Sequence, residues 1–249
     1  MTDSLFQVTF LSLFPEMFPG PLGYSLAKKA LDKNIWKMNL LNIRDYAKGT
    51  NSHLIDDKAY GGGSGMVMRP DVLGNAIDSA MIASKTSDII YMSPRGKKLD
   101  QKLVENIKSR KNIIIICGRF EGIDERIIEE YNIEEISIGD FVLSGGEIAA
   151  MTLIDAVVRL LPGVIENTNT LTEESFSNVN TPGLLEYPLY TRPTNWKERI
   201  VPEVLLSGNH QNISLWKKQK SEEITKIKRP DLWELYLKRD KSTTFPKSN

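Results

Sequence analysis

Glycine-bearing loops that leave apolar runs restrict what this chain can become. Four consecutive isoleucines, Ile113 to Ile116, lead into Cys117-Gly-Arg-Phe-Glu-Gly-Ile-Asp-Glu-Arg126. A mixed run from Ile133 leads into Ile138-Gly-Asp-Phe-Val-Leu-Ser-Gly-Gly-Glu147. A third short run, 89–92, opens into Ser93-Pro-Arg-Gly96. Glycine at such places lets backbone donors and acceptors approach a bound molecule closely. In open α/β sheets, small ligands bind beyond the carboxyl ends of the strands. A single loop of this kind reads as a tight turn. Two in tandem, with a third upstream, point to a ligand site.

The 249 residues give room for one large domain or two modest ones. At that length a core needs no covalent staple. The single cysteine, Cys117, excludes an internal disulfide and a cysteine-rich metal site. The N-terminus lacks the layout of a secretory leader, and no apolar run approaches the ~20 residues of a membrane helix. The expectation is a soluble, cytoplasmic protein without a membrane partner. Formal charge sums to zero but is unevenly spread. Residues 1–180 carry 19 Lys and Arg against 24 Asp and Glu, whereas 181–249 carry 13 against 8. A C-terminal segment of net +5 suits an anionic partner such as nucleic acid.

Periodicity gives strands over 8–14, 35–43, 89–92, 113–116 and 133–138. Helical patterns cover 23–32, 71–83, 99–109, 124–130 and 148–161. Strands alternating with helices imply an α/β fold around a largely parallel sheet. Residues 44–69 read as a long loop. Residues 162–182, rich in Asn and Thr, read as a polar linker or lid, because about twenty residues without apolar periodicity are unusual inside a compact domain. Beyond it, 209–228 and 230–238 read as helices of a small, basic, all-helical domain. Leu215, Trp216, Ile224 and Ile227 would form the apolar stripe of the first, and Trp233, Leu235 and Leu237 that of the second. The expected division is 1–161, 162–182 and 183–249.

Several chemistries fall away on motif grounds. Tyr60-Gly-Gly-Gly-Ser-Gly-Met66 is not followed by Gly-Lys-Ser/Thr, and no Gly-x-Gly-x-x-Gly follows the first strand. His53 and His210 are the only histidines, so neither an ordinary zinc site nor a histidine-based hydrolase is expected. Acid–base work falls to carboxylates, with Asp155, Glu121 and the pair Glu173-Glu174 as candidates. Arg159, four residues after Asp155, can pair with it on one helix face. It also stands near the helix end, where it can meet a negatively charged reacting group.

These motifs, with Ser93 to Asp100, Met151-Thr-Leu-Ile-Asp155, Gly183-Leu-Leu-Glu-Tyr-Pro188, Tyr190-Thr-Arg-Pro193 and Val204 to His210, closely resemble the bacterial tRNA (guanine-37-N1) methyltransferases. The resemblance spans nearly the whole chain, in the family's order. It implies a SPOUT-type α/β domain with a deep trefoil knot, binding S-adenosyl-L-methionine within the knot. The cofactor loops would be Met92, Ser93, Pro94 and Gly96; Gly118, Arg119, Phe120 and Glu121; and Ile138, Gly139, Phe141, Leu143, Ser144, Gly145 and Gly146. It further implies a homodimer with the active site between subunits, a C-terminal domain that grips tRNA, and room for Mg²⁺. Methyl transfer to guanosine 37 would use Arg159 and a carboxylate in 172–176. Glutamate stands at 174 where aspartate is common in relatives, and Phe120 and Phe141 replace frequent tyrosines. Glu174 is the expected base, with Glu173 as the substitute. The rival readings are an inactive RNA-binding relative and a methyltransferase for another RNA.

Overall fold

A computed structural model describes residues 5–48, 54–167, 169–176 and 183–243. The chain divides into two compact units, Met1–Glu166 and Asn167–Asn249.

The first unit begins with β1 (Phe6–Ser12), α1 (Ser25–Asp32) and β2 (Trp36–Asn42). A small antiparallel hairpin follows, β3 (Asp56–Lys58) and β4 (Met66–Met68), then α2 (Pro70–Ser84). The rest runs β5 (Ile89–Lys98), α3 (Gln101–Lys108), β6 (Asn112–Ile116), α4 (Glu125–Glu130), β7 (Glu134–Ser137) and α5 (Gly146–Val158). The five long strands form one parallel sheet in the order β2-β1-β6-β5-β7. The α/β class and its parallel sheet are therefore as the periodicity implies.

The isoleucine run shows why the sheet carries helices on both faces. Successive strand side chains point to opposite faces. Ile113 and Ile115 enter one core with Ala27 of α1, Leu103 of α3 and Leu153 of α5. Ile114 and Ile116 enter the other with Val72 of α2 and Ile127 of α4. All four isoleucines are fully buried, as a strand covered on both faces requires. Asp100 caps α3 by accepting from Leu103 N at 2.8 Å, and Asp124 caps α4 by accepting from Arg126 N at 3.0 Å.

The β3–β4 hairpin corrects the reading of 44–69 as a loop. Its strands have three residues each, too few for a periodic signal. Its tip needs the glycines: Gly61, Gly62, Gly63 and Gly65 all have φ between 83° and 119°. Part of that stretch, with His53, lies outside the described residues.

The second unit contains α6 (Asn169–Glu173), a short hairpin of β8 (Asn195–Trp196) and β9 (Arg199–Ile200), then α7 (Glu203–Leu206), α8 (His210–Lys228) and α9 (Pro230–Thr243). It is thus not purely helical, and the stretch read as a polar linker or lid contains a short helix. Residues 177–182 of that stretch lie outside the described residues. The apolar stripe expected on α8 is also only partly inward. Leu215 and Ile227 are 68% and 79% exposed, whereas Ser221 and Thr225 are buried. The Thr225 hydroxyl accepts from Leu185 N at 2.9 Å and donates to Ser221 O at 2.6 Å, so α8 buries a polar face against the chain around Leu184.

Candidate active site

Beyond the carboxyl ends of β6 and β7, and beside a bulge within β5, the first unit opens a cavity of about 370 Å³. Fourteen of the fifteen residues assigned to the cofactor loops line it: Met92, Ser93 and Pro94; Gly118, Arg119, Phe120 and Glu121; Ile138, Gly139, Phe141, Leu143, Ser144, Gly145 and Gly146. Gly96 does not line the cavity. Both Met92 and Lys97 pair with Ile136, so residues 93–96 bulge out of β5. A Cβ at Gly96 would collide with the backbone of Glu135 and Ile136, so this glycine serves strand packing. Tyr91, Arg95 and Val142, not expected there, also line the cavity. Phe120 and Phe141 keep about half their surface exposed beside it.

The loops brace one another. Gly146 N donates to Gly118 O at 2.9 Å, and a Cβ at Gly146 would lie 2.9 Å from Cys117 Cα. That contact ties the second loop to the start of α5 and requires glycine there. The glycine hairpin supports the second loop from its other side. Glu121 N donates to Met66 O, and Met68 N to Gly122 O, each at 2.9 Å. The Glu121 side chain packs over Gly65, where any Cβ would displace it.

A buried charge that sequence reading missed sits behind the cavity. Glu147, in the first turn of α5, has no solvent exposure. Its Oε1 accepts from Ser12 Oγ at 2.7 Å and from Arg119 Nε at 3.2 Å, and its Oε2 lies 2.9 Å from Arg119 Nη2. Arg119 Nη1 also donates to Ser144 O at 3.3 Å, and its guanidinium lies 4.5 Å from the Phe14 ring centroid. The helix N-terminus favours an anion at Glu147. One ion pair thereby joins β1 to the second and third loops. Burial, then the Glu147 charge, pushes the Cys117 thiol well above its ordinary range, so it stays protonated and unreactive. Burial likewise raises the Tyr91 hydroxyl, helped by Glu135.

Arg159 forms the C-cap of α5, its N–H donating to Asp155 O at 3.3 Å. Glu174 directly follows α6 in the second unit. Its neighbour Glu173 accepts from Lys217 Nζ at 2.8 Å and then Tyr187 Oη at 2.5 Å, which holds that carboxyl below its ordinary range. His210 opens α8 and is exposed. Among the described residues, no three His, Cys, Asp or Glu side chains cluster as a metal site, and no helix is long and apolar enough to cross a membrane.

A model of the tRNA (guanine-1)-methyltransferase TrmD family matches residues 6–235. The chain belongs to that family. It is 54% identical over 231 residues to the tRNA (guanine-N(1)-)-methyltransferase of Rickettsia africae (strain ESF-5), covering 92% of this chain and 98% of the relative. It is 56% identical over 227 residues to the protein of the same name from Wolbachia pipientis wMel, covering 91% and 95%. Membership in that family makes the chain a tRNA (guanine-N1)-methyltransferase, an enzyme whose substrate is tRNA.

Proposed function

We propose that this protein transfers a methyl group from S-adenosyl-L-methionine to N1 of guanosine 37 in tRNA. The observation that carries the reading is the convergence of three glycine loops on one cavity, in a chain of this family. Its volume of about 370 Å³ falls in the ~300–1,000 Å³ range of small-molecule sites. Its lining mixes apolar Met92, Ile138 and Leu143 with the polar backbone of Gly139 and Gly145, which suits a nucleoside joined to an amino acid. The cofactor would supply a methyl carbon on a positively charged sulfur.

Guanine N1 carries a proton at neutral pH, so its electron pair is not free to attack. Glu174 takes that proton as N1 accepts the methyl group, which bound S-adenosyl-L-methionine would supply while its sulfur kept the electron pair of the broken sulfur–carbon bond. Negative charge on the base grows toward O6, where Arg159 stabilises it. Glu173, the substitute, is a carboxylate held by Lys217 and Tyr187, and its lowered pKa makes it a weaker base than an ordinary glutamate. In this reading residues 1–161 bind the cofactor within a trefoil knot. Residues 162–182 carry the base over the site, and 183–249 grip tRNA. The active enzyme is a cytoplasmic homodimer whose subunits share the guanosine site.

A thermal melt tests the cofactor half of the proposal. S-adenosylhomocysteine at a hundredfold excess over its Kd is expected to stabilise the protein by about 2.7 kcal/mol. That corresponds to a Tm rise of roughly 5–10 °C for a chain of this size. An unchanged Tm would favour the reading suggested by glutamate at 174, an RNA-binding relative without catalysis.

A further inference from the structure

We infer that Lys217 and Tyr187 are positioning residues for the base, acting through Glu173 to set the place of Glu174. The inference rests on the proposed role of Glu174. It starts from how 173–187 is held on α8. Lys217, Ser221 and Thr225 recur every four residues, so they share one face of the helix. Lys217 Nζ and Tyr187 Oη converge on the same oxygen, Glu173 Oε2, at 2.8 and 2.5 Å. The Lys217 ammonium also lies 4.6 Å from the Tyr187 ring centroid.

On the other side of Glu174, Ser175 Oγ accepts from Glu186 N at 2.9 Å, and Phe176 N donates to Leu184 O at 3.0 Å. Leu185 N is bonded in turn to Thr225 Oγ1 at 2.9 Å, and Leu184 has no solvent exposure. The residues before and after Glu174 are therefore pinned to 184–187, and that strip is pinned to α8. Among the described residues of 170–187 only Leu184 is buried, so polar contacts fix the geometry there.

A lysine on a basic helix of an RNA-modifying enzyme would ordinarily be read as a phosphate contact. Lys217 instead directs its charge at a carboxylate of its own chain. A half-exposed ion pair adds little stability. Its consequence is placement, and a displacement of about 1 Å at a reacting group can cost about a hundredfold in rate.

The test is steady-state and single-turnover methylation of an unmodified tRNA transcript by the full chain. Lys217→Met, Lys217→Arg and Tyr187→Phe are each compared in the wild-type and Glu174→Gln backgrounds. Lys217→Met is expected to lower kcat about tenfold while KM for tRNA stays within about threefold. Lys217→Arg is expected to restore most of kcat, because a guanidinium can still reach Glu173. In the Glu174→Gln background Lys217→Met is expected to cost nothing further, as for two residues acting through one group. A raised KM with kcat intact would make Lys217 a phosphate contact and overturn the inference. An undiminished further loss in the Glu174→Gln background would overturn it as well. Should Lys217→Met fail to fold, Tyr187→Phe, which removes only one hydroxyl, decides the same comparison. A wild-type protein that leaves tRNA unmethylated would sink the proposed function. Normal turnover by Lys217→Met beside an impaired Glu174→Gln sinks this inference alone.

Discussion

Glu174→Gln is expected to lower turnover at least tenfold, within the ~10²–10⁴-fold that a positioned base contributes. Glutamine keeps the size and the hydrogen-bonding oxygen but cannot accept the N1 proton at neutral pH. The proton then leaves to water, without a base in line with the transfer. Glu174 is assigned to the guanine proton and not to the methyl donor, so cofactor affinity is expected to be unchanged. Single-turnover methylation, paired with a thermal shift by S-adenosylhomocysteine, separates the two effects. Arg159→Ala is expected to depress the same step by about 10²–10³, the usual effect of one charge-stabilising donor. Wild-type turnover in Glu174→Gln would remove this carboxylate from the chemistry. It would also return the choice to Glu173, against the geometry of its Lys217 and Tyr187 bonds.

Arg119→Met is expected to destabilise the protein by about 3–5 kcal/mol, because it strands Glu147 as a buried charge without its partner. Ser12 supplies one hydrogen bond and no charge. The double variant Arg119→Met/Glu147→Leu is expected to recover at least half of the loss, since the pair then becomes apolar packing around Phe14 and Met17. Urea unfolding of the four proteins in the cycle measures both effects. A loss below about 1 kcal/mol in Arg119→Met would show that Glu147 is accommodated without the pair. The same variant is expected to weaken S-adenosylhomocysteine binding, because Arg119 also fastens the second loop to Ser144.

Legibility of the chain followed the length of each signal. Ile113 to Ile116 identified a central strand, and their alternation between two cores is what a sheet covered on both faces imposes. The glycine loops were legible because each follows such a strand, and they do converge on one cavity. Gly96 packs against the backbone of Glu135 and Ile136 and does not line that cavity; a glycine needed for close strand packing looks the same in sequence as one that lines a ligand. The hairpins at 56–68 and 195–200 were invisible because strands of two or three residues have no period. Leu215 and Ile227 suggested an inward stripe on α8, whereas the helix turns Ser221 and Thr225 inward to bond the chain around Leu184. Glu147 reads in sequence as an ordinary acidic residue of a helix first turn. Only the approach of Ser12 and Arg119, distant in sequence, reveals it as a buried pair. The bond from Lys217 to Glu173 joins residues 44 apart, which no sequence pattern shows.

The central claim is tested most directly by mapping the product. An unmodified tRNA transcript bearing guanosines at 36 and 37 is incubated with the protein and isotopically labelled S-adenosyl-L-methionine, then digested and analysed by mass spectrometry. One labelled methyl group on N1 of guanosine 37 is the expected result. Label at another nucleotide, in another RNA only, or nowhere would contradict the account.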